Sequence, residues 1–417
     1  MLSGKYGLVK LWPGKKIRES TAMKKQKIKE LIKVSKDVIA DGSLENGAIV
    51  AANSDKAIYP ATTQDYRYVW VRDAAYVCMA ADLLELRDIP ERFFGWCLNR
   101  AEDFKGTGFF SNAYNVNGTI HGTLIPPDGP RVPRHLRESC IDLVHSGTQF
   151  QPDQSGSLLI AIAHHIKYFD AEVSQFEKLI EKTASGISRS WKGDAFVLPC
   201  YDLWEERCVL PKHRGCHTYS LAMCIAGLRA AIKLLGKKRK WLQTEKEMSK
   251  TFAEIYSGST KSIPRTYRRG AIAKNRKTRA DDLKPDTSLL GLVYPSGILD
   301  PLDEKIKGTV LEIIKTNTTG GGGLLRYPGD RYCGGVRKGW VTLTGAGTWP
   351  LLSLWMSIYY SLCGDNKNAR KFFDRPLERI DKYIPEQIFE DKSRPSITPL
   401  LWSHTMFVIA AKFLGHI

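Results

Sequence analysis

Apolar residues return at intervals of three and four along most of the chain, and this limits the fold more than any other feature. The first run is Ile28, Leu31, Ile32, Val38 and Ile39, closed by Asp41-Gly42, a pair suited to a helix C-terminus. The same spacing predicts helices over 74–87, 90–104, 154–169, 172–189, 216–234, 239–256, 302–316, 346–363, 366–383 and 398–414, with a shorter one over 285–292. That makes about twelve helices and an all-α chain. The connections 42–72, 106–153, 191–215, 259–284 and 318–345 are long and rich in Gly, Pro, Tyr, Trp, Arg and acids. Loops of that length inside a compact domain usually carry function. With no internal repeat and no Pro- or Ser-rich linker, residues 1–417 are expected to form one domain with a loop-built face, preceded by a basic segment of about residues 1–20.

Hydrophobic residues make up 43% of the chain, enough for a large core and far from the composition of a disordered protein. Lys and Arg outnumber Asp and Glu by 62 to 44, which raises nucleic acid or another polyanion as a partner. The distribution argues against it. Residues 1–36 hold eleven basic side chains against Glu19 and Glu30, and 261–280 holds eight with no acid, so two local tracts carry most of the excess. Both are expected on solvated loop and helix surface. No apolar signal segment follows Met1 and no run approaches the length that crosses a bilayer, so the chain reads as cytoplasmic with reduced thiols. Cys200, Cys208, Cys216 and Cys224 recur every eight residues without the close pairs of a zinc site, and no metal is expected. Asn117-Gly-Thr119 and Asn317-Thr-Thr319 fit the glycosylation sequon but are expected to be ordinary loop residues. Gly320 to Gly323 lack a following Gly-Lys-Ser/Thr and read as a flexible loop beside Arg326 rather than a phosphate cradle. His164, His165 and His404 are expected to be packed or hydrogen-bonded, and Trp191 and Trp355 to be core.

Chemistry concentrates in a few segments. Asp65-Tyr-Arg-Tyr-Val-Trp-Val-Arg-Asp73 sets aromatics around Arg72 and Asp73, a combination that fixes sugar hydroxyls while ring faces stack on a pyranose, although a capped helix with a surface ion pair would use the same residues. Tyr201-Asp-Leu-Trp-Glu-Glu206 crowds three carboxylates beside Trp204. Crowding against an apolar wall raises carboxyl pKa values, as a general acid requires, and a solvated acidic loop is the alternative. Tyr383-Ile-Pro-Glu-Gln387 places a lone Glu386 shortly before the last helix.

Taken in order, with Gln151-Pro-Asp153 and Leu325-Arg-Tyr-Pro328, these segments resemble the glucoamylase-type enzymes of glycoside hydrolase family 15 from about residue 45 to the C-terminus. The resemblance implies an (α/α)6 barrel, a double ring of twelve helices with the site at its loop-lined mouth. It implies that Tyr66, Trp70, Arg72, Asp73 and Arg326 hold the terminal glucose, that Glu205 is the general acid and Glu386 the general base, and that Glu206 touches the leaving sugar. Trp204, Trp349, Gln151 and Asp153 resemble further binding residues. The expected activity is inverting, exo-acting release of β-glucose from α-1,4- or α-1,6-linked gluco-oligosaccharides, without cofactor. An α,α-trehalase of the same family is the alternative, and a non-catalytic sugar or polyanion binder comes third. Relatives often carry an N-terminal β-sandwich or a starch-binding domain, and neither is expected here.

Overall fold

The computed structural model describes residues 21–99, 108–121, 150–236, 238–259, 261–268, 283–332, 345–390 and 395–417. Its α-helices are α1 (Thr21–Gly42), α2 (Val71–Leu83), α3 (Asp88–Asn99), α4 (Pro152–Phe169), α5 (Glu177–Ser190), α6 (Thr218–Leu235), α7 (Arg239–Gly258), α8 (Glu304–Asn317), α9 (Pro350–Leu362), α10 (Asn366–Leu377) and α11 (Leu401–Phe413). A 3-10 helix, Thr287–Leu292, takes the twelfth place, between α7 and α8.

Packing arranges these elements in two rings. In the inner ring α2 packs on α4, α4 on α6, α6 on the 3-10 helix, that helix on α9, α9 on α11, and α11 returns to α2. Each carries an outer partner: α3 on α2, α5 on α4, α7 on α6, α8 on the 3-10 helix, α10 on α9 and α1 on α11. This is the expected (α/α)6 barrel. The sorting follows from amphipathicity. Helix α9 buries every residue from Pro350 to Tyr359 and α11 every residue from Leu401 to Ala411, whereas outer α10 buries one stripe of Ala369, Phe372, Phe373, Pro376 and Leu377. Inner helices also need close approach. A Cβ on Gly156 of α4 would stand 2.4 Å from the Met223 carbonyl of α6, and one on Gly227 of α6 would stand 2.9 Å from the Gly156 carbonyl.

Several expectations need correcting. Helix α6 is long and apolar enough to cross a membrane, contrary to the sequence reading, because an inner-ring helix is surrounded by apolar neighbours; 61% of it is buried in the barrel. The segment 285–292 is 3-10, capped by the Asp286 carboxylate on Ser288 N–H, with Pro295 close behind. The predicted helix 366–383 stops at Leu377, since Pro376 removes a donor from its last turn. The predicted helix 172–189 starts with a separate 3-10 turn, Val173–Gln175. Of the predicted helix 90–104, residues 100–104 lie outside the described residues, as do 1–20 and 269–280 of the basic tracts. Arg265 overturns the surface reading where that tract is described: it is 6% exposed. Asn317 is no loop residue either; it ends α8 fully buried, its amide donating to the Pro285 carbonyl and to Thr287 Oγ1.

The histidines behave as expected. His164 and His165 both place Nδ1 on the Asp82 carboxylate, at 2.7 and 2.8 Å. His404 accepts the Ile384 N–H at Nε2 and lies 2.9 Å from Ser35 Oγ through Nδ1. Trp191 and Trp355 are core.

Trp70, Gln151, His217, Asp286, Trp349 and Leu400 are the residues preceding the first turns of the six inner helices. All six inner N-termini therefore open on one face. There the long connections are stitched by short antiparallel ribbons: β1 (Trp191–Lys192) with β2 (Ala195–Phe196), β3 (Cys200–Tyr201) with β4 (Cys208–Val209), and β5 (Gly215–His217) with β6 (Thr266–Arg268). The eightfold cysteine spacing places Cys200, Cys208 and Cys216 on β3, β4 and β5 and Cys224 in α6, all buried.

Candidate active site

The β3–β4 ribbon closes over Asp202 to Arg207. Asp202 organises the turn: its carboxylate accepts the Glu206 and Arg207 N–H groups at 2.9 and 3.1 Å and the Arg207 guanidinium at 3.0 Å. Burial opposes ionisation of Asp202, but Arg207, His217 and the backbone donors outweigh it and hold its carboxyl below the usual range. Glu205 sits in the left-handed region at φ 62°, a costly conformation for a side-chain-bearing residue. Its N–H is tied to the Asp202 carbonyl at 3.0 Å.

One short segment reaches both expected catalytic carboxylates. Trp70 Nε1 donates to Glu205 Oε1 at 2.7 Å, and Tyr66 O–H donates to Glu386 Oε1 at 3.2 Å. Asn112 Nδ2 adds a bond to Glu205 Oε2 at 3.4 Å, and the Tyr66 hydroxyl also bonds that of Tyr332. Glu386 is 3% exposed, and its Oε2 has no hydrogen-bond partner among the described residues. Burial dominates both groups. It pushes Glu205 up to about 7 against Arg72 and the Trp70 N–H, and Glu386 up to about 7 against the Tyr66 O–H and Arg326. Helix N-termini favour anions by only about 0.3–1 kcal/mol each, too little to reverse that cost.

Arg72, in the first turn of α2, is buried with its side chain 4% exposed. It donates to Asp73 at 3.0 Å, to Gln151 Oε1 at 3.1 Å and to Asp153 at 3.2 Å, and its N–H donates to Gln154 Oε1 at 2.6 Å. Gln151 and Asp153 have no exposed surface. Asp153 also accepts from Ser220 Oγ, tying Arg72 to α6, and Gln151 Nε2 donates to the Asp202 carbonyl, tying Arg72 to the acid turn. In the structure they lie behind Arg72 as its hydrogen-bond partners. Asp73 is the more open member of the pair, its side chain 15% exposed.

Arg326 anchors the opposite wall. Its guanidinium donates to Asp330 at 2.7 and 2.8 Å and to Glu206 Oε1 at 2.6 Å, while Tyr327 O–H bonds Glu206 Oε2. It lies 5.3 Å from the Trp204 ring, 5.1 Å from Trp349 and 4.8 Å from Tyr332. Trp204 and Trp349 are 6.0 Å apart, and Tyr332 stacks on Trp349 at 5.9 Å. The loop of Glu386 joins this wall where Ile388 pairs with Thr348, the residue before Trp349.

The structure thus joins the expected residues in two linked groups, one around Glu205 and Arg72, the other around Arg326, with Tyr66 bridging to Glu386. It adds Asn112, Tyr332, Asp330 and Asp286, which no sequence pattern marked. The only available signal for Tyr332 and Asp330 was their closeness in sequence to Arg326. Of the run Gly320 to Gly323, Gly322 lies beneath the Arg375 side chain of α10 and Gly323 packs on Thr348.

A helical barrel whose mouth gathers buried carboxylates, arginines and stacked aromatic rings has the makings of a glycoside hydrolase, and the comparisons agree. A solved structure described as a wild-type glycosidase superposes with a TM-score of 0.71 at 20% identity, covering 96% of this chain and all of that one. An uncharacterised glycosyl hydrolase of Methanocaldococcus jannaschii is 28% identical over 387 residues, 88% of this chain; this chain spans about half of it, 52%. The isomaltose glucohydrolase of Kribbella flavida is 22% identical over 88% of this chain and 91% of its own length. The profile of glycosyl hydrolases family 15 matches residues 35–412, and the chain belongs to that family.

Proposed function

We propose that the protein is an inverting exo-α-glucosidase that releases β-glucose from the non-reducing end of α-linked gluco-oligosaccharides. Glu205 is the general acid and Glu386 the general base. The observation that carries this reading is the pair of buried carboxylates held by Trp70 and Tyr66, four residues apart in one segment. Glu205, pushed up to about 7, keeps a proton to give the glycosidic oxygen near neutral pH. Glu386 takes the proton of the attacking water, with Oε2, buried and without a hydrogen-bond partner among the described residues, as the acceptor. Inversion needs the carboxyls roughly 6.5–9.5 Å apart, leaving room for water on the opposite face of the ring. Asp73, Arg72 and Arg326 hold the sugar hydroxyls, and Trp204, Trp349 and Tyr332 form the apolar wall; the Trp349 Nε1 donor is also unpartnered among the described residues. Glu206, 29% exposed at its side chain, faces the leaving sugar.

Isomaltose is the first substrate to test, because the relative matched over 91% of its length is named for it. Glucose release is measured from isomaltose, maltose, panose, dextran and trehalose, with the product anomer followed by NMR. Glu205→Gln and Glu386→Gln should each lose about 100- to 10,000-fold. Initial α-glucose would refute inversion. Release from trehalose alone would make the enzyme a trehalase, and no release from any α-glucoside by the folded protein would favour a binding role.

A further inference from the structure

Outside the catalytic groups, Asp286, at the N-terminus of the 3-10 helix, and Arg265, from the basic tract, form a buried pair. Asp286 is 2% exposed. Its Oδ1 accepts from Ser288 N–H at 2.9 Å and Ser288 Oγ at 2.7 Å, and also from the indole Nε1 of Trp204 at 3.0 Å. Trp204 Nε1 reaches Oδ2 as well, at 3.3 Å. The Arg265 guanidinium lies 3.6 Å from Oδ2 and 5.2 Å from the Tyr327 ring, its side chain 5% exposed. Its Nε and Nη1 make no hydrogen bond among the described residues.

Capping the short helix needs only the two Ser288 contacts. The third bond crosses to the residue immediately before Glu205. The backbone of the acid turn is held by Gln151 Nε2 on the Asp202 carbonyl at 2.8 Å, and its Glu206 side chain by Arg326 and Tyr327. An indole clamped by a carboxylate fixes the residue next to Glu205 itself, which matters because the Glu205 backbone is held in the left-handed region. The Arg265 guanidinium, 3.6 Å from Oδ2, is the cation set beside this buried carboxylate.

We infer that Asp286 is a positioning residue for catalysis: with Arg265 behind it, it holds Trp204 by the indole N–H and so aims Glu205 at the glycosidic oxygen. This rests on Glu205 being the general acid. Misaiming an acid slows cleavage in proportion to how much the leaving group needs a proton. A disaccharide leaves as an alkoxide and needs one; 4-nitrophenolate departs without it.

The test compares Asp286→Asn, Trp204→Phe and the double variant with wild type on isomaltose, or whichever disaccharide the enzyme cleaves, and on 4-nitrophenyl α-glucoside. Asparagine keeps the shape of Asp286 but either offers the indole a weaker, neutral acceptor with its NH2 toward Arg265, or turns that NH2 donor against the indole N–H. Phenylalanine keeps one aromatic ring and removes the N–H donor together with part of the indole face. Each single variant should lose about 10- to 100-fold in kcat on the disaccharide, the size of a hydrogen bond to a charged acceptor. Asp286→Asn should stay within about threefold of wild type on the nitrophenyl substrate, with the limbs of the pH profile unmoved; Trp204→Phe, which also alters the sugar-binding wall, should lose at least about tenfold more on the disaccharide than on the nitrophenyl substrate, and the double variant should fall no further than the worse single one. Equal losses on both substrates, or losses that multiply in the double variant, would overturn the assignment. Glu205→Gln in the same assay separates the two levels. If it shows the leaving-group dependence and Asp286→Asn does not, Glu205 is the acid and Asp286 is scaffold; if Glu205→Gln lacks the dependence, the acid itself is misassigned. Should Asp286→Asn fail to fold, Trp204→Phe carries the same comparison.

Discussion

Replacing Glu386 by glutamine should stabilise the fold above pH 7 and change it little near pH 4.5. The carboxyl is 3% exposed, and burial pushes it from 4.5 up to about 7. In the unfolded chain it ionises near 4.5, whereas in the folded protein it keeps its proton until about pH 7. A group raised in this way favours the fold fully below the unfolded value, and that advantage drains away as pH rises through the folded one. At about 1.36 kcal/mol for each pH unit between the two values, ionised Glu386 costs the fold about 3 kcal/mol relative to its protonated form. Glutamine is neutral and nearly isosteric, and its amide oxygen still accepts the Tyr66 O–H. Urea unfolding of wild type and Glu386→Gln at pH 4.5 and 8.5 measures the effect. The stability difference should move in favour of the variant by up to about 3 kcal/mol between the two pH values. A difference independent of pH would refute the reasoning, since it would mean that solvent or an unrecognised cation already serves Glu386 in the folded state. The same comparison bears on the proposed function: if Glu386 is the base, its burial is a stability cost retained for activity.

Three further outcomes follow from the geometry. Tyr66→Phe removes a bond that favours ionised Glu386, so the acid limb of kcat/KM should move up by about one pH unit or more, and Trp70→Phe should move the alkaline limb of Glu205 the same way; a downward shift in either profile contradicts the assignment. Arg326→Met strands the fully buried Asp330 carboxylate beside Glu206 and should cost about 3–5 kcal/mol in denaturant unfolding, with a loss under about 1 kcal/mol showing that the pair is not buried as described. Gly156→Ala drives a methyl into the Met223 carbonyl at the α4–α6 crossing and should lower stability by about 1–3 kcal/mol, read as a fall in the urea midpoint at unchanged slope.

The sequence alone determined the ring elements and the segments that bear the chemistry, because both are written locally. Helical periodicity is a matter of neighbours three and four apart, and the turn of Asp202 to Arg207 is organised by a carboxylate bonding N–H groups four and five residues on. Only the tertiary structure decided what those segments do to one another. Tyr66 meets Glu386 across 320 residues, Trp70 meets Glu205 across 135, and Trp204 meets Asp286 across 82, separations at which no spacing rule operates. It also set the exposures: Gln151 and Asp153, from a segment about 80 residues on, fold fully buried against Arg72, whereas Asp73 keeps an open edge. Arg265 shows the same limit from the other side. As a letter in a basic tract it looked like solvated surface, and closure of the inner ring beside Asp286 made it a buried counter-charge, because burial is set by what packs against a residue and not by the residues next to it in the chain.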